Sequence, residues 1–257
     1  MNAPHATAPT SLSSPGPVGQ PPRHHVAVSG LPDLDALLDP LGPGTFTLLA
    51  GRAMAGTSAL LLTIARHNSR QGLPVALAAL QGTPSETGRM LLAAESSRCP
   101  EHSADASHLA AVRARLRRLP LRLIGPDGDV IRRLRAEAVA GAGLLLLDDL
   151  ALAAGPSGWP GAGAVASALA ATARELSVPI IATAHLGPGH GTTPRPEDLR
   201  DPHVHEHVDR IVLLHRPARL GPVPGQPDLV SLHVTGPKGT GRATVRFEPE
   251  HHRMTNS

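Results

Sequence analysis

The chain has 257 residues, enough for one sizeable domain with a core and too few for two large ones. With no Tyr, two Phe and one Trp, that core must be built from Leu, Val, Ile and Ala; the single cysteine, Cys99, excludes an intrachain disulfide and any multi-cysteine zinc site. A net charge of +3 is too small to argue for nucleic-acid binding by itself, although Arg outnumbers Lys by 23 to 1.

Residues 1–25 are rich in Pro, Ser, Ala and Gly and nearly devoid of large apolar side chains, so they are expected to form a disordered tail. No basic start followed by an apolar stretch marks a secretory signal, and no apolar run reaches membrane-spanning length. A cytoplasmic location and no membrane partner are expected. The folded domain is placed at residues 26–250, with a C-terminal tail over 251–257.

From Val26 the pattern changes. Leu34, Leu37, Leu38 and Leu41 recur at helical intervals before Pro43 and Gly44 turn the chain. "TFTLLAG" reads as a buried strand, Thr57 to Arg70 as a helix closed by Gly72, and Val75 to Leu80 as a second strand. That order implies a parallel pair joined by a right-handed crossover. A helix around Ser85 to Ser96 follows, then a polar loop from Cys99 to Ala106, an arginine-rich helix to Leu119, a short strand at Leu121 to Ile124 and a helix from about Asp129. "GLLLLDDL" (143–150) is an apolar run ending in two aspartates, as a central parallel strand does where its carboxyl end meets a ligand crevice. A helix through Val165, Leu169, Thr172 and Leu176 precedes the strand "VPIIATAH", and closing strands are expected at 211–214, 230–234 and 243–247. The fold class is α/β of the P-loop type, with a mostly parallel central sheet flanked by helices.

"GRAMAGTS" (51–58) lies between the first strand and the next helix with the spacing G-x-x-x-x-G-K-[ST] of a phosphate loop. Such a loop aims backbone N–H groups and a helix N-terminus at phosphate oxygens, while its lysine bridges the terminal phosphates and its hydroxyl residue helps hold magnesium. Gly51, Arg52, Ala53, Met54, Ala55, Gly56, Thr57 and Ser58 are the candidate nucleotide-binding residues, with Thr57 standing where the lysine belongs. The only lysine is Lys238, far downstream. Ser58 and Asp148 are the candidate magnesium-binding pair; Asp148 alone would equally suit helix capping. "HVHEH" (203–207), with His190 and His215 nearby, would align three histidines if extended, a geometry able to bind zinc or nickel, but with fifteen histidines in the chain and no cysteine partner the simpler reading is no metal site. The basic run "RARLRRLPLR" from Arg113 reads more simply as a solvated helix face than as a nucleic-acid contact.

From Ser29 to about Phe247 the chain resembles the C-terminal, RecA-like ATPase domain of DnaB-type replicative DNA helicases. The matching segments are "SGLPDLDALLDPLGPG", "LPVALAALQGTPSE", "LLLLDDLAL", "ARELSVPIIATAHL", "RPEDLRD", "VDRIVLLHRP" and "GPKGTGRATVRF", in that order. The resemblance implies ATP and Mg2+ as cofactors and three catalytic positions, each with a departure. Gln81 takes the place of the glutamate that activates the attacking water; it can hold that water but cannot accept its proton. His185 takes the place of the sensor glutamine, or else is an ordinary polar strand cap. Lys238 lies where an arginine finger would reach a neighbouring subunit's nucleotide, or else is a turn residue. Within Gly187 to Asp201, Arg195 and Arg200 fall in the region of the family's DNA-facing loops, implying single-stranded DNA as a partner. The resemblance also implies a homo-oligomer or association with a helicase ring.

Three readings follow: an active ATP-driven helicase motor, a descendant that keeps the fold with weak or residual nucleotide binding and little hydrolysis, or a RecA-fold regulatory or assembly protein. The absence of both the ammonium and the base favours the second, since each is commonly worth about 2 kcal/mol or more.

Overall fold

The structure, a computed structural model, describes residues 26–38, 40–96, 106–155, 160–188, 193–217 and 227–257. The expected tail over residues 1–25, Cys99 and His190 lie outside the described residues.

The elements in chain order are α1 (Pro32–Leu38), β1 (Phe46–Gly51), α2 (Thr57–Arg70), β2 (Val75–Ala79), α3 (Pro84–Glu95), α4 (Ala106–Leu116), β3 (Leu121–Ile124), α5 (Val130–Val139), β4 (Leu144–Asp148), α6 (Leu150–Ala154), α7 (Ala162–Leu176), β5 (Ile180–His185), β6 (Arg210–His215), β7 (Leu229–Gly236), β8 (Gly239–Glu248) and β9 (Arg253–Asn256). The strands make one sheet in the order β3-β2-β4-β5-β1-β6-β7-β8-β9. β3 to β6 of that order run parallel, and β7, β8 and β9 are added antiparallel.

β1 and β4 are buried at every position because helices cover both faces of the parallel part, which is why they read as unbroken apolar runs. One core lies beneath α1, α2 and α3; the other lies beneath α5, α6 and α7. Phe46, the one large aromatic side chain fully buried among the described residues, sits in the second core, and aliphatic residues fill most of the rest.

Local chemistry sets several boundaries. Thr83 and Glu86 form a reciprocal capping box at the start of α3, with Pro84 in the first turn. α1 ends at Leu38. Leu41, expected on that helix, instead forms a bridge with Ala27. α6 was not foreseen: the Asp149 carboxylate accepts from the N–H groups of Ala151 and Leu152 and starts a new helix directly after β4.

Residues 253–256, set apart as part of a C-terminal tail, form β9 against β8. Met254 is 1% exposed, and its N–H donates to Thr63 Oγ1 at 2.9 Å. A strand with one apolar residue among polar neighbours leaves little trace in a hydrophobicity pattern.

Candidate functional site

The register of the parallel strands brings four chain segments to one level. Gly51 at the end of β1 pairs with His185 at the end of β5, and Ala79 of β2 pairs with Asp148 of β4. The crevice above them is where ligands bind in open α/β sheets.

Between β1 and α2 the chain bends sharply. Met54 has φ 65° and Gly56 φ 92°, and Gly56 serves as the N-cap of α2 without a side-chain capping bond. The first N–H groups of α2 therefore lack intrahelical acceptors and point out of the helix end, an anion-binding arrangement. Gly51 is needed for close approach: a Cβ there would lie 2.9 Å from Ala55 Cβ and 3.0 Å from Thr57 Cγ2. A Cβ at Gly56 would meet Met254 Cε at 2.5 Å. Gly56→Ala combines that crowding with a left-handed backbone and should cost about 1–2 kcal/mol in urea denaturation; an unchanged midpoint would refute the left-handed turn.

Ala53 and Met54 are exposed, Ala55 is buried, and Thr57 is 6% exposed with its methyl turned toward Gly51. Thr57 thus packs beneath the loop. Arg52 does not turn into the crevice's phosphate position: its Nη2 donates to Asp198 Oδ2 at 3.0 Å. The same oxygen accepts from the N–H of Arg195 at 3.0 Å, so Asp198 joins the phosphate loop to the segment that carries Arg195 and Arg200. Both of those arginines are exposed. Arg216, just past β6, braces the loop from the other side by donating to the Met54 carbonyl at 2.8 Å while pairing with Asp228.

Asp148 sits in the crevice floor, 8% exposed, accepting from Thr183 Oγ1 at 2.5 Å and from the Ser58 hydroxyl. Burial raises its pKa above the ordinary carboxylate value, against the two hydroxyl bonds, which lower it. Ser58 and Asp148 come together as a hydroxyl and a carboxylate, the oxygen donor set that suits magnesium. The next peptide, Asp148–Asp149, is cis. Asp149 is buried; one oxygen caps α6, and the other lies 3.6 Å from His185 Nε2.

Gln81, two residues past β2, meets His185 with Nε2 to Nε2 at 3.2 Å. The positions expected to activate water and to sense phosphate are therefore neighbours. Glu86 also lines the crevice, together with Ser58, Gln81 and Asp148. Its carboxylate is occupied: Oε2 accepts from both the N–H and the hydroxyl of Thr83, bonds that hold its pKa below the usual value. A group so depressed is a poor proton acceptor at neutral pH.

Lys238 is not part of this crevice. Thr235 pairs with Ile211 at the start of β6, and Arg210 pairs with Thr47 at the start of β1, so the β7–β8 hairpin tip lies at the opposite end of the parallel strands. The six residues of β1 alone separate the two ends by roughly 17 Å.

One expectation changes, and the basic run keeps its solvated face, with Arg113, Arg115, Arg117 and Arg118 exposed. "HVHEH" is not extended but forms a 3₁₀ helix, Pro202–His207, which breaks the alignment of its histidines. His203 pairs with Glu206 and His205 with the Pro202 carbonyl, and among the described residues no group of three or more potential ligands is placed to hold a metal. In the basic run, Arg115 pairs with the buried Glu95 at 2.9 Å and Arg122 with Glu137 at 3.3 Å, so part of its charge is used within the fold.

Sequence reading missed Thr183, Asp198 and Arg216. Thr183 had a usable signal, since it lies two residues before His185 on a strand adjacent to β4. Asp198 and Arg216 act across separations of 146 and 162 residues, which no local pattern encodes.

Residues 27–256 match the family described as "DnaB-like helicase C terminal domain". The replicative DNA helicase DnaB of Leifsonia xyli subsp. xyli is 29% identical over 254 residues, an alignment covering 89% of this chain and 55% of that protein. The chain thus spans about half the length of the curated relative it matches. The ATPase domain of G40P superposes with a TM-score of 0.80 at 19% identity, covering 90% of this chain and 91% of that one. A DnaB-like replicative helicase, whose structure was described with its interactions with primase, superposes with a TM-score of 0.78 at 20% identity over 90% of this chain and 63% of its own. At these identities the two structures establish the fold, which is RecA-like. No helix among the described residues is long and apolar enough to cross a membrane.

Proposed function

The chain belongs to the DnaB-like helicase C-terminal domain family, and from that premise we propose that it is a nucleotide-binding member with weak or no ATP hydrolysis. It holds Mg2+ and ATP weakly in the crevice, contacts single-stranded DNA through Arg195 and Arg200, and assembles with itself or with a helicase ring.

One observation carries this reading: the only lysine of the chain lies at the far end of the sheet from the phosphate loop. Within one subunit no ammonium group can replace the one absent at Thr57. What is left is the neutral part of the cradle. Backbone N–H groups at the start of α2 would hold phosphate oxygens, and Ser58 with Asp148 would hold the cation. Bound magnesium supplies charge neutralisation at the terminal phosphates. Gln81 and His185 can orient a water, but Gln81 cannot take its proton. At the hairpin tip Lys238 can serve only a neighbouring subunit's site, where an ammonium neutralises charge without a bidentate clamp.

The test is thermal melting of the full chain with Mg-ATP alongside an assay for ADP. A dissociation constant on the order of 1 mM would give about 1 kcal/mol of stabilisation at 5 mM ligand. Stabilisation without ADP release is the expected result, with the magnesium-dependent part lost in Asp148→Ala. DNA-stimulated turnover that Asp148→Ala abolishes would establish the active-motor reading instead.

A further inference from the structure

Past β6 the sheet carries charge on a side where no core forms among the described residues. Val230, Leu232 and Val234 of β7, with Ala243 and Val245 of β8, point into the core beneath α1 and α2. Side chains alternate along a strand, so Ser231 and His233, and Arg242, Thr244 and Arg246, point to the opposite side. On β6 the same side holds Ile211 and Leu213, which are buried in the core beneath α5, α6 and α7; only His215, at the strand end, is partly exposed there. Register places His233 directly across from Arg242, and His215 across from Ser231, which accepts from Arg242 Nη2 at 2.8 Å.

This surface has one sign of charge. Arg242 and Arg246 are exposed. The nearest acids of these strands and their flanks are already used, Asp228 by Arg216 and Glu248 by Arg253. Burial first, and then neighbouring cations, hold both histidines below their ordinary pKa: Arg52 and Arg242 act on His215, and Arg242 and His215 on His233. Arg52 also extends the surface to the segment that carries Arg195 and Arg200, through its pair with Asp198.

We propose that this face of β7 and β8, with His215 at the end of β6, is a second docking surface for the phosphodiester backbone of single-stranded nucleic acid, continuous with the segment bearing Arg195 and Arg200. It rests on the single-strand contact proposed above and lies outside the crevice. The face offers no Phe, Tyr or Trp on which a base could stack, because Phe247 points to the other side, where Arg216 lies 5.0 Å from its centroid. Binding is therefore carried by phosphate contacts, independent of sequence and steep in salt.

The experiment measures anisotropy of a fluorescent oligo(dT) with the full chain over a salt series, using wild type, Arg242→Gln/Arg246→Gln and Arg195→Gln/Arg200→Gln. Each phosphate contact on a single strand contributes about 0.7 to the slope of log affinity against log salt. Loss of Arg242 and Arg246 should flatten that slope by about 1.4 and weaken binding on the order of tenfold or more in low salt, with Lys at both positions restoring most of it. Melting temperatures confirm that the variants are folded; both side chains are exposed.

An unchanged slope and affinity in Arg242→Gln/Arg246→Gln, with loss confined to Arg195→Gln/Arg200→Gln, overturns the second surface and leaves the proposed function standing. No binding by the wild type at low salt overturns both. Equal displacement of the oligonucleotide by poly-glutamate at matched charge would identify the face as a surface for acidic protein and overturn the proposal.

Discussion

Thr57→Lys should tighten Mg-ATP binding by about thirtyfold, close to 2 kcal/mol. The argument starts from what position 57 touches. It is the first residue of α2, directly after the left-handed Gly56, and its side chain packs under the loop at 6% exposure. A lysine there has a long enough stem to leave that pocket and bring its ammonium to phosphates held at the helix start. Hydrogen bonds to charged groups contribute roughly 1.5–3 kcal/mol, more than neutral ones, because the ion is only partly resolvated by the backbone N–H groups alone. The same substitution places a cation at a helix N-terminus, where the macrodipole disfavours it by about 0.3–1 kcal/mol in the absence of ligand. The expected signature is thus two-sided: a lower melting temperature without nucleotide and a larger rise with it. Calorimetric titration of wild type and variant measures the affinity change. Equal affinities would mean that phosphates do not lie on this loop.

Adding Gln81→Glu to Thr57→Lys should raise ATP turnover by on the order of a hundredfold or more over wild type, the usual contribution of a positioned base being 10²–10⁴. Gln81 lies beside His185, at 3.2 Å, and lines the crevice with Ser58 and Asp148. A carboxylate in the same place can accept a proton from water that the amide can only hold. The two changes act on one step, so their effects are not expected to add: Gln81→Glu alone acts on a site that is seldom occupied, and Thr57→Lys alone fills a site that lacks a base. Steady-state release of ADP with and without single-stranded DNA reads all four proteins, and Asp148→Ala in the double variant should abolish the gain. Tight binding with turnover still at the wild-type level would show that position 81 is not where the attacking water lies.

Much of this was visible in the chain itself. Buried parallel strands are apolar throughout, so β1, β2, β4 and β5 stood out, and Gly51, Gly56 and Ser58 kept the spacing that a phosphate loop needs. The missing charges were equally legible, since one lysine in 257 residues is a fact of composition. Short elements whose stability comes from contacts elsewhere were not legible. α6 exists because Asp149 caps it, and β9 because Met254 finds a pocket beside Gly56 and Thr63. The 3₁₀ helix Pro202–His207 likewise took three histidines out of the line that an extended chain would have given them.

The sequence alone determined the fold class, the phosphate-loop spacing and the absence of a lysine from that loop, because each follows from residue type and local period. Only the tertiary structure decided that Arg52 turns to Asp198, that Lys238 lies at the far end of the sheet, and that Arg242 and Arg246 share one face with His215 and His233. The reason is physical: spacing along the chain fixes which side of a strand or helix a residue occupies, whereas strand order and register fix what stands opposite it, and those are set by burial summed over the whole molecule.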